Sequence, residues 1–91
     1  MNLSDKVTIP AQVMAREVGE ETVILDLANG TYYGLDPVGA RIWQLMAEGQ
    51  TLVQVRDVIL AEYEVAREDI ERDMLALVQV LLERQLVSVD A

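Results

Sequence analysis

Alternation of apolar and polar residues predicts a strand in the first third of the chain. Within residues 22–27, Val23, Leu25 and Leu27 fall on one side of an extended backbone, and Ile24 is the exception. Such alternation is typical of a strand that is buried on one face only. We therefore expect this segment to lie in a sheet with its Val23 side against the core.

The turn that follows sets the register of the next strand, TYYGL. A two-residue loop would pair Leu25 with Gly34, whereas a three-residue loop with Gly30 in a bulge pairs Leu25 with Tyr33. We favour the bulged turn, because a one-residue slip moves every side chain to the other face of the sheet. This register leaves Tyr32 pointing outward and gathers the apolar side chains on one core face, namely Val23, Leu25, Leu27, Tyr33 and Leu35.

The aromatic strand Thr31–Leu35 is the last strand before the helices. A weaker alternation over residues 12–18 predicts a first strand, so the three strands would form a meander with the aromatic strand at an edge. An open edge offers unpaired backbone N–H and C=O groups and can accept an added strand. Gly34 either lets another backbone approach or eases the bend into the first helix.

Two helices begin at recognisable caps. Asp36 is a good N-cap, Pro37 suits the first helical position, and Gly49 ends the first helix. Thr51 and Gln54 form a capping box for the second. With a third helix, the pattern predicts an α+β fold in a single domain, residues 1–91: a three-stranded antiparallel sheet followed by three helices, as in a winged helix-turn-helix. Outside these elements we expect a polar lead-in over residues 1–10, loose at its very start, and a short closing strand over residues 86–89.

The third predicted helix is more apolar than a surface helix needs to be. It begins near Ala66 or Arg67 and ends near Gln85, and its segment 74–82 contains one polar residue, Gln79. A surface helix needs one apolar stripe. Here one stripe comprises Ile70, Met74, Leu77 and Leu81, while Leu75, Val78 and Leu82 lie around the side. Two explanations stay open: a helix covered by its neighbours or by a second copy, and an apolar wall left open for a peptide.

Composition narrows the function. The chain has 91 residues, a net charge of −9, and neither His nor Cys. The charge repels phosphate backbones, so a nucleic-acid partner is disfavoured although winged helices often bind DNA. Without His or Cys, the usual general base, thiolate nucleophile and zinc ligands are missing. We expect a cytoplasmic, non-catalytic protein with no cofactor and no metal, because neither a secretory signal nor a membrane span is evident.

Several segments in order carry a family resemblance. They are LDLANGTYYGLDPVGARIW, then EGQT at the start of the second helix, then Glu62, Tyr63 and Val65 at its end, and a last helix that ends LLERQLV. Over roughly residues 23–87 the chain resembles the PqqD-like family, the leader-peptide recognition elements of ribosomally made, modified peptides. It is most similar to the stand-alone recognition proteins of lasso-peptide pathways. Glu48-Gly49 stands where the common pattern has Asp-Gly.

The resemblance implies that a leader peptide joins the sheet as a fourth strand and lies against the third helix. The backbone of residues 32–35 would pair with the leader, and Asp69, Arg72 and Asp73 would line the rim. Val78 would lie on an exposed flank of the helix. The full set of implied peptide-binding residues is Leu25, Thr31, Tyr32, Tyr33, Gly34, Leu35, Asp69, Arg72, Asp73, Met74, Leu77 and Val78.

The resemblance also implies partners. They are the leader region of a precursor peptide and a separate maturation enzyme, such as a transglutaminase-like leader peptidase, with no nucleic acid and no membrane. Two alternatives remain at this stage. One is a PqqD-type chaperone that presents a peptide to a radical-SAM enzyme, and the other is a homodimeric regulatory winged-helix module.

Overall fold

A computed structural model describes residues 2–89 of the chain. The described residues form two small sheets and three helices. In chain order the elements are β1 (Val7–Thr8), β2 (Val13–Val18), β3 (Glu21–Asp26), β4 (Thr31–Leu35), α1 (Pro37–Ala47), α2 (Leu52–Glu62), α3 (Arg67–Glu83) and β5 (Ser88–Val89). The predicted antiparallel sheet followed by three helices is confirmed. Its strand order is β2-β3-β4, so β4 lies at an edge.

The predicted register between β3 and β4 is wrong. Leu25 pairs with Tyr32, and Ile24 pairs with Tyr33, which leaves a four-residue loop, residues 27–30, between the strands. The Asp26 side chain shapes this loop, because its Oδ1 accepts hydrogen bonds from the N–H groups of Ala28 at 2.9 Å and Asn29 at 3.1 Å. Neither the two-residue nor the three-residue turn forms.

The corrected register exchanges the two faces of β3. Ile24 and Asp26 are buried, at 0% and 1% exposure, whereas Leu27 is 68% exposed in the loop. Leu25 therefore lies on the outer face of the sheet beside Tyr32, and the expected core face of Val23, Leu25 and Leu27 is wrong. On β4 the expectation is confirmed: Tyr33 and Leu35 face the core and Tyr32 points outward.

The predicted caps are confirmed for the first two helices. The Asp36 carboxylate accepts a hydrogen bond from the Gly39 N–H at 2.7 Å, with Pro37 at the start of α1. Thr51 and Gln54 form both hydrogen bonds of a capping box at the start of α2. By contrast, Ala66 precedes α3 without a side-chain cap, and acidic residues in the first turn of α3 compensate its dipole.

The two ends of the described chain form a second sheet. Val7 pairs with Val89, and Thr8 pairs with Ser88, so β1 and β5 are antiparallel. The segment expected as a polar lead-in thus contains a strand with a buried Val7, and the predicted closing strand is partly formed as β5. The very start of the chain, which we expected to be loose, lies outside the described residues.

Helix α3 buries one stripe of side chains in the core. Four of its side chains, Ile70, Met74, Val78 and Leu81, are at most 3% exposed. The neighbouring elements of the chain cover them, so the first explanation of the apolar helix accounts for this stripe. We expected Leu77 in the apolar stripe and Val78 at the side of the helix, but Val78 is buried in the stripe and Leu77 is half-buried beside it.

Residues 2–89 include no helix that is both long enough and apolar enough to cross a membrane.

Candidate functional site

The outer edge of β4 is open in the part of the chain that the structure describes. β4 pairs with β3 along one side, and no described strand pairs with its other side. Alternate residues of Thr31–Leu35 therefore direct N–H and C=O groups towards an unoccupied strand position. This geometry can accept an extended peptide, because an added strand satisfies these groups through main-chain hydrogen bonds.

An apolar groove lies next to this edge, between β4, α1 and α3. It is a cavity of about 360 Å³. Its lining defines what we call the β4–α3 groove: Tyr33, Gly34, Leu35, Asp36, Val38, Gly39, Ile42, Val65, Asp69, Ile70, Asp73 and Leu77. Most of the lining side chains are aliphatic or aromatic, and three carboxylates, those of Asp36, Asp69 and Asp73, complete the lining. An apolar side chain from an added strand would be buried there.

Six of the twelve residues predicted for the site line the groove. These are Tyr33, Gly34, Leu35, Asp69, Asp73 and Leu77. Gly34 has open space where a Cβ would stand, so the unbound chain imposes no steric need for glycine there. The strand edge and the helix wall that the sequence indicated separately are adjacent in space.

The other six predicted residues lie elsewhere. Thr31 and Tyr32 line a shallow depression at the start of β4. Leu25 pairs with Tyr32 across the sheet and lies on the same outer face. Arg72 lies beside the groove, where its guanidinium forms ion pairs with Asp69 at 3.3 Å and Asp73 at 3.4 Å.

Met74 and Val78 lie beneath the groove rather than on its surface. Both side chains are 0% exposed, so the expectation that Val78 lies on an exposed flank is wrong. A charge at Val78 would disrupt the core and would not test peptide binding. Leu77 is the α3 side chain that offers an accessible apolar surface in the groove.

Sequence reasoning missed a wall of the groove that α1 and the α2–α3 loop provide. Val38 and Ile42 are one helical turn apart on α1, and Val65 precedes α3. Their i, i+4 spacing was visible, but no local signal shows which strand an amphipathic helix packs against. The salt bridge from Arg41 to Glu62, at 2.7 Å, joins α1 to the end of α2 near Val65.

Arg84, which lies beside β4, was also missed. Its guanidinium carbon lies 5.4 Å from the centroid of the Tyr33 ring, within cation–π distance. With Thr31 and Tyr32 it lines the shallow depression beyond the groove. Arg84 follows Leu77 by about two helical turns, so it falls on the same side of α3 as Asp69, Asp73 and Leu77. This spacing could have indicated from the sequence that Arg84 lies near the site.

The chain is similar to one family model and to two solved structures. The model of the family Coenzyme PQQ synthesis protein D (PqqD) matches residues 21–87. No match is found among curated proteins. The structure of TbiB1 in complex with the TbiA(beta) leader peptide is similar, with 40% identity, a TM-score of 0.80, and coverage of 89% of this chain and 94% of that one. A lasso peptide synthetase B1 complexed with the leader peptide has 30% identity, a TM-score of 0.81, and coverage of 91% and 98%.

Proposed function

Because this chain belongs to the PqqD family, we propose that it binds the leader segment of a ribosomally made precursor peptide as an added strand on β4. The observation that carries the proposal is the open β4 edge directly beside the apolar β4–α3 groove. The two similar structures, of TbiB1 and a lasso peptide synthetase B1, contain leader peptides and support it. The chain acts by binding and does not catalyse a reaction.

In the proposed complex the leader contributes hydrogen bonds through its backbone and selectivity through alternate side chains. One set of side chains enters the groove and contacts Tyr33, Leu35 and Leu77, while the other set lies outward beside Tyr32. Met74 and Val78 act only by supporting this floor from the core. Asp69, Arg72 and Asp73 form the rim.

We further propose that the bound precursor is delivered to a separate leader peptidase in lasso-peptide biosynthesis. Both similar structures come from leader-binding B1-type proteins, which favours this pathway over presentation to a radical-SAM enzyme. The place of action is the cytoplasm, where a ribosomally made precursor is available before export. Binding would hold the leader in one extended conformation for the peptidase.

The test compares one charge at two positions of α3. Peptides are selected on the wild-type chain from a random mRNA-displayed library, and the leading sequence is labelled with fluorescein. Leu77→Glu should weaken its binding by about tenfold or more, because an ionised carboxylate in an apolar groove loses hydration without a partner. Fluorescence polarisation measures the affinity.

Leu75→Glu is the matched control. Leu75 is also half-buried on α3 but does not line the groove. It should leave affinity nearly unchanged, while circular dichroism confirms that both variants are folded. Equal losses in the two variants, or full affinity in folded Leu77→Glu, would contradict the proposed groove.

A further inference from the structure

Arg84 differs from most other arginines in having no carboxylate partner among residues 2–89. Arg41, Arg56, Arg67 and Arg72 each form an ion pair within 4 Å, whereas none is found for Arg84 among residues 2–89. The whole chain has sixteen acidic and seven basic residues, so an unpaired cation is unexpected on its surface. Arg84 is therefore available to a negative group outside the chain.

The position of Arg84 places this charge beside the open edge. Its guanidinium stacks on Tyr33, a residue of β4, and it shares the shallow depression with Thr31 and Gly34. Stacking on an aromatic ring leaves the N–H groups at the rim of the guanidinium plane free to donate to a carboxylate. A strand added to β4 would pass next to them.

The β4–α3 groove itself has the opposite charge. Asp36, Asp69 and Asp73 line the groove together with Leu35, and among residues 2–89 Arg72 alone forms ion pairs with the latter two carboxylates. Along the β4 edge, the local charge thus changes from negative near Leu35 to positive at Arg84. A peptide with charges in the matching order is attracted, and a reversed peptide is repelled.

We infer that Arg84 binds an Asp or Glu side chain of the leader and thereby selects both its sequence and its direction. This inference rests on the proposed strand addition to β4. An antiparallel added strand, the arrangement already used throughout this sheet, begins beside Leu35 and ends beside Thr31. The carboxylate therefore lies C-terminal to the apolar side chain in the groove, by about two to four residues, since alternate side chains share a face.

The experiment repeats the peptide selection on three proteins. They are the wild-type chain, Arg84→Glu and Arg16→Glu; Arg16 also has no ion pair among the described residues, but it lies on β2 at the other edge of the sheet. Wild type and Arg16→Glu should both enrich Asp or Glu at one position C-terminal to an apolar residue. Arg84→Glu should keep the apolar pattern and enrich Lys or Arg at that position.

Affinities then test the pair directly. Changing the selected acidic residue to Lys should weaken binding to wild type by about tenfold and restore it on Arg84→Glu. Arg84→Gln, which keeps hydrogen bonding without charge, should bind both peptides with similar affinity. If circular dichroism shows that Arg84→Glu is unfolded, Arg84→Gln provides the same test.

The possible failures are distinguishable. Selected peptides that share an apolar extended pattern but show no charge preference on wild type overturn the role of Arg84 and leave strand addition intact. Peptides with no common extended pattern overturn both. An acidic preference that persists on Arg84→Glu also overturns the inference, because another group must then bind the carboxylate.

Discussion

The Asp26 side chain determines how the hairpin before the groove is built. It is 1% exposed, and its oxygens accept hydrogen bonds from the Ala28 and Asn29 N–H groups and from the Asn29 side-chain amide at 3.1 Å. Replacing Asp26 by Ala leaves these donors without their partner. We expect the free energy of unfolding to fall by about 1–3 kcal/mol, measured by urea denaturation.

Asp26→Asn is the matched variant, because its side-chain oxygen can still accept from the loop. It should be less destabilising than Asp26→Ala. Equal destabilisation by the two substitutions would show that the hydrogen bonds to the loop do not account for the effect of Asp26.

The same residue explains why the register could not be predicted from the pattern. Hydrophobic alternation treats an aspartate as an outward residue and Leu27 as an inward one. Here the carboxylate is satisfied by the loop backbone and can be buried, so Leu27 is placed in the turn at 68% exposure. Burial of a polar group depends on partners that only the folded loop provides.

Helices α2 and α3 are joined by an ion pair between charged side chains. Arg56 Nη1 donates to Glu71 Oε1 at 2.8 Å, and Arg67 donates to the same oxygen at 3.2 Å. These hydrogen bonds, first from Arg56 and then from Arg67, lower the pKa of Glu71 below its ordinary value of 4.5. Glu71 is thus more readily ionised in the folded than in the unfolded chain.

This lowered pKa predicts a pH dependence of stability. The stabilisation that the ionised Glu71 provides is complete above pH 4.5, where this carboxylate is ionised in both the folded and the unfolded chain. It is lost as the pH falls through the lower pKa that Glu71 has in the folded protein. Glu71→Gln should therefore lower the melting temperature relative to wild type at neutral pH. In acid the two proteins should melt at similar temperatures. Thermal melts followed by circular dichroism across this range measure the difference.

Glu68→Gln provides the control for the change in net charge. Glu68 lies in the first turn of α3 and forms no ion pair among residues 2–89. Its effect on the melting temperature should be smaller at neutral pH and should vary less with acidity. If the two variants follow the same pH profile, the contacts to Arg56 and Arg67 do not control this stability.

The elements themselves were predictable to different degrees for physical reasons. The caps at Asp36 and Thr51 are local, so they located the starts of α1 and α2. β1 has two residues and exists only by pairing with β5, about eighty residues away along the chain, so no local pattern reveals it. Similarly, α3 was recognised as apolar, but its exact buried stripe depended on the packing of its neighbours.

The predicted family resemblance is confirmed, and among residues 2–89 no further strand pairs with either edge of the three-stranded sheet. The edges differ in their surroundings. β4 borders the β4–α3 groove and Arg84, whereas β2 and α1 line a separate depression, and the exposed part of β2 carries Arg16 and Glu17. If the site is the groove and not simply any free edge, a leader peptide should occupy β4 alone.

Amide hydrogen exchange measured by NMR provides this comparison within one sample. With a selected peptide in excess, alternate amides of Thr31–Leu35 should exchange more slowly, because they donate to the added strand and open only when the peptide leaves. The amides of Val13–Val18 at the opposite edge should keep their rates, apart from any global change in stability. Slowing at β2 instead, or at both edges equally, would contradict a groove-directed site. The comparison works because both edges belong to one sheet, so only a ligand that contacts the surroundings of β4 can distinguish them.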